Sequence, residues 1–307
     1  MVATIRSARQ GRNMTHFPLS IFVRTGCTER EIAARLFVFE NGVYCIVLYC
    51  IVPAVILRMW REDFALIYGI IGDIHSNYEA LAAVIREFQQ EQVEQILCIG
   101  DIVGYAAEPV ECIDLLSDLK CISVAGNHDY AVAGKFPGEY FHADARAAVL
   151  WTVKQLPDGY TDYLKNLPLV KEINDITLVH GSLNHPEIFY YIVSERDARL
   201  NLNLLKTSIC FYGHTHVPLA VLSDNRNMRV ESGPVIDLNT AEKFLINVGS
   251  VGQPRDWDLR ASCVVYDTKK KIVKIKRIKY DIDRAVEKIY SAGLPRINAM
   301  RLTEYIS

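Results

Sequence analysis

From residue 64 onward, short apolar runs alternate with longer stretches whose apolar residues recur at helical spacing, the pattern of a layered α/β domain. Residues 66–71 read as a buried strand running into Gly72-Asp73-Ile74-His75-Ser76-Asn77. Residues 78–90 then place Leu81, Val84, Ile85 and Phe88 at helical spacing. Residues 95–99 form a short strand closing on Gly100-Asp101, and 109–119 a helix with proline at a position suited to a first turn. Residues 121–125 are a strand closing on Gly126-Asn127-His128-Asp129, and 142–156 and 160–164 read as helices. Beyond residue 169 the pattern changes to strands with short links, at 169–172, 176–179, 208–212, 218–222, 244–248, 261–266 and 272–278, with helices at 195–205 and 283–291. No internal repeat or low-complexity linker interrupts the series, so it reads as one domain with a second, largely β half.

Residues 1–58 differ in character. Arg6, Arg9, Arg12 and Arg24 precede the first acid, Glu29, and an almost uncharged run at 43–57 contains Pro53. That run is shorter than the roughly 17 to 25 residues a spanning helix needs, and it lies too far along the chain for an ordinary signal peptide. A weak membrane anchor through 43–57, an organellar-type leader and sequence upstream of the true start all fit. The last is preferred, with Met59 as the natural first residue, so we expect an atypical extension at 1–58 and the domain at 59–307. The balance of 34 basic and 36 acidic residues carries no footprint of a nucleic-acid binder. Lys269-Lys270-Lys271, between two strands, reads as a solvated hairpin turn. The eight cysteines form no C-x-x-C pair, and Cys98, Cys210 and Cys263 lie in apolar runs. They read as buried, reduced thiols of a cytoplasmic protein.

The candidate chemistry sits where strands end. Four strands run into glycine and then a metal-type residue, in Gly72-Asp73, Gly100-Asp101, Gly126-Asn127 and Gly213-His214, and His180-Gly181 reverses the order. Asp73 with His75, and His214 with His216, are spaced so that extended backbone would turn both side chains to one side. Mixed carboxylate and imidazole donors suit zinc, manganese or iron better than calcium or magnesium alone. His75, His128, His180, His214 and His216 fall in these blocks, whereas His16, His142 and His185 belong to none.

The ordered series Asp73-x-His75, Gly100-Asp101, Gly126-Asn127-His128-Asp129, His180-Gly181 and Gly213-His214-x-His216 resembles the calcineurin-like metallophosphoesterase family, in its bacterial and archaeal small-phosphoesterase branch. The resemblance runs from about residue 64 to the carboxyl end. It implies a four-layer αββα sandwich with two divalent metals at the strand ends, of the manganese, iron, zinc, nickel or cobalt type. By position Asp73, His75, Asp101 and His216 would hold the first metal, and Asp101, Asn127, His180 and His214 the second, with Asp101 bridging. His128 would face the substrate, and Asp129 would orient His128 or cap a helix.

Two-metal chemistry explains such a set: paired cations clamp phosphoryl oxygens and make hydroxide available at neutral pH for in-line attack. The expectation is a hydrolase of a small phosphomonoester, phosphodiester or nucleotide, with no nucleic-acid polymer as partner. Arg255, in the 247–256 loop, and Tyr105, after Asp101, are candidate substrate contacts. Ile102 follows Asp101 where the protein-phosphatase branch has arginine, which counts against a phosphoprotein or dinucleoside-polyphosphate phosphatase. The complete ligand set counts against a binding scaffold.

Overall fold

The computed structural model describes residues 66–224 and 227–304, together with the backbone of the strands Ala3–Arg6 (β1), His16–Thr25 (β2), Thr28–Val38 (β3) and Tyr44–Tyr49 (β4). The chain divides into two compact units, Met1–Phe64 and Ala65–Ser307. In the first, β1 to β4 form an antiparallel sheet in chain order. β4 occupies part of the uncharged run at 43–57, while Pro53 and the expected boundary at 58 lie outside the described residues. Among the described residues no helix is long and apolar enough to cross a membrane.

The second unit continues with β5 (Ile67–Ile71), α1 (Tyr78–Gln90), β6 (Gln95–Cys98), α2 (Pro109–Asp118), β7 (Ile122–Ser123), α3 (Asn127–Val132), α4 (Ala143–Gln155) and α5 (Tyr160–Asn166). β8 (Val170–Ile173), β9 (Ile176–Val179), α6 (Glu195–Leu204), β10 (Ile209–Tyr212), β11 (Leu219–Asp224), β12 (Asn227–Glu231), β13 (Val235–Asp237), β14 (Lys243–Asn247), β15 (Ala261–Asp267), β16 (Ile272–Ile278), α7 (Ile282–Ser291) and α8 (Arg296–Thr303) complete it. The Asn77 side chain starts α1 by accepting the N–H of Ala80, and Pro109 opens α2, where its missing N–H costs nothing. The lysine run at 269–271 forms the turn of the β15–β16 hairpin, as expected.

Two six-stranded sheets result, in the orders β13-β16-β15-β5-β6-β7 and β12-β11-β14-β10-β9-β8. β5, β6 and β7 run parallel in one, and β9, β10 and β14 in the other. Period-two alternation sorts their residues between layers. Tyr68, Ile70, Leu97 and Ile99 pack against Ile176, Leu178, Phe211 and Ile246 between the sheets. Ile71, Cys98, Cys263 and Val265 face Leu81, Val84 and Phe88 of α1 and Ile113 and Leu116 of α2. On the opposite outer face Val179, Cys210, Tyr212 and Leu245 pack against Ala198 and Leu202 of α6. The architecture is the αββα sandwich that the family resemblance implies. Four elements of this unit escaped the sequence pattern: α3, β12, β13 and α8. β12 is mostly exposed and is held by its antiparallel pairing with β11, so its own residues carry little apolar signal.

Candidate metal centre

The loops leaving the carboxyl ends of β5, β6, β7, β9 and β10 carry the polar cluster. This is where open α/β sheets collect ligands. Asp73 and His75 do converge, but strand alternation is not the reason. β5 stops at Ile71, and Asp73 and His75 lie at φ 49° and 51°, as do Asp101 at 52°, His214 at 68° and His216 at 62°. Left-handed backbone is uncommon away from glycine and costs free energy, so the surroundings must hold it in place. Here the N–H of Asp73 donates to the carbonyl of Gly100, and those of Ile74 and His75 to that of Asp101. Close approach also needs glycine: a Cβ on Gly126 would stand 2.0 Å from Asp101 Oδ1.

The imidazoles are oriented from behind. His75 Nδ1 lies 3.2 Å from the Val103 carbonyl, His180 Nδ1 3.0 Å from that of Ile99, and His216 Nδ1 2.6 Å from that of Gln253. Each ring donates there, which leaves an Nε2 lone pair facing inward, the arrangement that metal-binding histidines use. The inward atoms form two groups. In one, His216 Nε2 stands 3.2 Å from His75 Nε2 and 3.1 Å from Asp73 Oδ1, with Asp101 Oδ2 3.7 Å from His75 Nε2. In the other, His180 Nε2 stands 3.1 Å from both Asn127 Oδ1 and His214 Nδ1 and 3.3 Å from Asp101 Oδ2. Atoms bound to one cation at about 2.0 to 2.2 Å lie about 3.0 to 3.4 Å apart, so this spacing fits shared ions. Asp73 Oδ1 is buried and accepts no hydrogen bond, while Oδ2 accepts the N–H of His214. A buried carboxylate oxygen left without a donor fits a cation site.

Electrostatics follows from burial. All seven residues are buried. Burial holds His75 and His214 well below the usual histidine range and also lowers His216. His180 differs: burial alone would lower it, but Asp101, Asp73 and Asp129 raise it to about 9. Conversely, burial opposes ionisation of Asp101, yet His180, His128 and His75 pull it well below the carboxylate range. The lone pairs that attract a proton to His180 Nε2 equally attract a divalent cation.

His128 belongs to the cluster but not to either inward group. Its backbone N–H donates to Asp101 Oδ1 at 2.9 Å, while its ring Nδ1 is buried without a partner beside Gly104. Its ring lies edge-on to His75, with centroids 4.8 Å apart. Burial lowers it to about 4 against the pull of Asp101, so it rests neutral. The Asp129 carboxylate does not hydrogen-bond the His128 Nδ1, which has no partner. One of its oxygens accepts the N–H of Ile102 and Val103, the other that of Gly126, which pins the β6 and β7 loops together. Tyr105 is buried against His75 and His128, and its hydroxyl lies 3.4 Å from Arg255 Nη2, which also donates to Gln253 Oε1 at 3.0 Å. His142 and His185 are exposed and outside the cluster, as expected, and His16 lies outside the residues whose side chains are described.

Sequence reading missed the role of the 247–253 loop, which it took for a substrate loop alone. The Ser250 hydroxyl donates to the Asp73 carbonyl, the N–H groups of Val251 and Gly252 donate to Gly72 and Asp73, and the Gln253 carbonyl orients His216. The run of small and amide residues after β14 was the available signal. Also missed was Tyr191, whose ring stacks on His214 with centroids 3.9 Å apart and an interplanar angle of 12°.

Comparison with known proteins identifies the family and the fold. The family model described as a calcineurin-like phosphoesterase superfamily domain matches residues 66–271. An uncharacterized protein of Methanocaldococcus jannaschii is 41% identical over 239 residues, covering 76% of this chain and 96% of its own length. The crystal structure of a metallophosphoesterase from Sphaerobacter thermophilus is 39% identical and superposes with a TM-score of 0.70, over 79% of this chain and all (100%) of the other. A hypothetical protein from Pyrococcus horikoshii shares the fold with a TM-score of 0.65 at 21% identity, over 79% of this chain and 99% of its own.

Proposed function

The chain belongs to the calcineurin-like phosphoesterase superfamily of metal-dependent hydrolases of phosphate esters, and from that premise we propose that it is a dinuclear enzyme acting on a small phosphomonoester, phosphodiester or nucleotide. One observation carries the dinuclear part. Asp101 Oδ2 reaches within 3.7 Å of His75 Nε2 and 3.3 Å of His180 Nε2, so one carboxylate joins two groups of inward lone pairs. Asp73, His75, Asp101 and His216 would hold one ion and Asp101, Asn127, His180 and His214 the other. Imidazole with one or two carboxylates favours manganese, iron, zinc, nickel or cobalt. Such ions supply charge for the phosphoryl oxygens and lower the pKa of water toward neutrality.

The protein's own groups do the rest. Only two carboxylates, Asp73 and Asp101, enter the ligand set, and neutral Asn127 stands where a third would repel the substrate's anion. His128 is the proposed acid: neutral at rest, it is raised toward protonation by an arriving phosphoryl dianion and then gives the proton to the leaving oxygen. Arg255 has no carboxylate partner among the described residues and, braced by Tyr105 and Gln253, is free to grip a phosphoryl oxygen. The compartment proposed with this function is the cytoplasm, supported by the free, buried Cys98, Cys210 and Cys263. The test is metal analysis of purified protein with a panel of phosphate mono- and diesters. Activity should vanish with a chelator and return with manganese, nickel or cobalt; full activity in demonstrably metal-free protein would end the proposal.

A further inference from the structure

The ligand imidazoles are backed by aromatic rings on two loops that the hydrolytic chemistry does not require. Tyr191 stacks on His214, and Phe189 meets His180 edge-on with centroids 5.9 Å apart. The wall continues outward through Phe136, 5.2 Å from Phe189, to Tyr140, 5.6 Å from Phe136. Burial explains Phe189, which is only 4% exposed, but Tyr191 is 50% and Tyr140 76% exposed. Tyr191 therefore spends one face on a candidate metal ligand and leaves the other toward solvent beside the reaction centre. Exposed aromatic faces of this kind are platforms for planar rings.

Charge limits the rest of the ligand. Arg255 stands 5.8 Å from the centroid of the Tyr105 ring, with its Nη2 3.4 Å from the Tyr105 hydroxyl, and that ring packs against His75 and His128. Lys135, the cation on the aromatic wall, is already placed over the Tyr130 ring and donates to the Lys165 carbonyl. A chain of several phosphates would bring more negative charge than the metal-bound phosphoryl group and one arginine accommodate. An aromatic substituent on a single phosphoryl group meets what the site offers.

We propose that this site selects esters with one phosphoryl group and a planar aromatic group of the nucleobase kind, which stacks on Tyr191. The inference rests on the hydrolase reading above and narrows its substrate class. A nucleobase stacked on an aromatic side chain contributes about 1 to 3 kcal/mol, so its removal is expected to cost roughly five- to 150-fold.

The test compares adenosine 5′-monophosphate with ribose 5-phosphate, and the methyl diester of each, so that every pair shares its leaving group and differs only in the base. With metal-loaded full-length protein, kcat/KM should favour the base-bearing member of the active pair by at least about fivefold. Tyr191→Ala should collapse that ratio to within about threefold of unity, and Tyr191→Phe should keep it. If Tyr191 only shields His214, Tyr191→Ala will slow both members alike and lower metal content, and the proposal falls. It also falls if the wild-type protein hydrolyses p-nitrophenyl phosphate or its diester yet shows no preference within either pair, or turns over neither. Failure to hydrolyse any of these esters with metal bound would instead remove the hydrolase reading beneath it.

Discussion

Replacing His128 and Asp101 separately distinguishes a residue that acts on substrate from one that holds the metals. Although His128 lies within reach of His75 and Asp101, the bond that ties it to Asp101 comes from its backbone N–H, which substitution leaves in place. His128→Ala is therefore expected to keep near-normal metal content while kcat on an alkyl phosphate falls by roughly 10² to 10⁴. At 1.36 kcal/mol per tenfold, that is about 3 to 5 kcal/mol of barrier. The ring is only 3% exposed, so alanine leaves a cavity; His128→Gln, which fills more of it, checks that the loss is chemical and not a failure to fold. Asp101→Ala removes the oxygen shared by both groups of ligands and should lose metal and activity together. Elemental analysis is paired with rates on an alkyl phosphate and a p-nitrophenyl ester. The good leaving group needs no proton and should partly rescue His128→Ala, but not Asp101→Ala. Equal metal loss in the two variants would show that His128 is itself a ligand or a structural residue, and would refute the assignment.

Arg255→Ala should raise KM by roughly tenfold with unchanged metal content, because the side chain braces on Tyr105 and Gln253 and contacts no candidate ligand; a change in kcat alone would argue against a binding role. Gly126→Ala should lose metal and melt at lower temperature, since the added Cβ would lie 2.0 Å from Asp101 Oδ1 and 2.4 Å from its backbone N. Near α1 and α2, Lys288 pairs with both Glu79 and Glu108, and burial together with the Glu79 hydrogen bond raises Glu108 from 4.5 to about 7. The folded protein then binds more protons here than the unfolded chain between pH 4.5 and 7, so this residue makes stability fall as pH rises through that window. Glu108→Gln should accordingly shift Tm upward relative to the parent as pH goes from 5 to 8; a constant difference would show that Glu108 does not hold that proton. A protein beginning at Met59 should remain soluble and as active as the full chain, because every candidate ligand lies after it; an insoluble or inert product would place residues 1–58 within the fold.

The alternation of apolar runs and helical stripes located most elements of the second unit, with α1, β9 and β16 falling at the expected residues. It worked because those elements bury a face, and burial leaves a period of two or 3.6 in the residues themselves. The ligand candidates were equally legible, since strand-glycine-carboxylate and strand-glycine-imidazole blocks recur in one order. What the local pattern did not hold was the reason they converge. Asp73 and His75 share a centre through left-handed backbone held by the β6 loop, not through strand alternation. Likewise β12 is a strand because β11 supplies its hydrogen bonds, and Gln253 orients His216 with a carbonyl that any residue possesses. Tyr191 meets His214 from a separate loop with no chemical motif to announce it. Residue types and local periodicity are properties of the chain; hydrogen bonds and ring contacts between distant loops exist only once the two sheets have packed and brought their strand ends together.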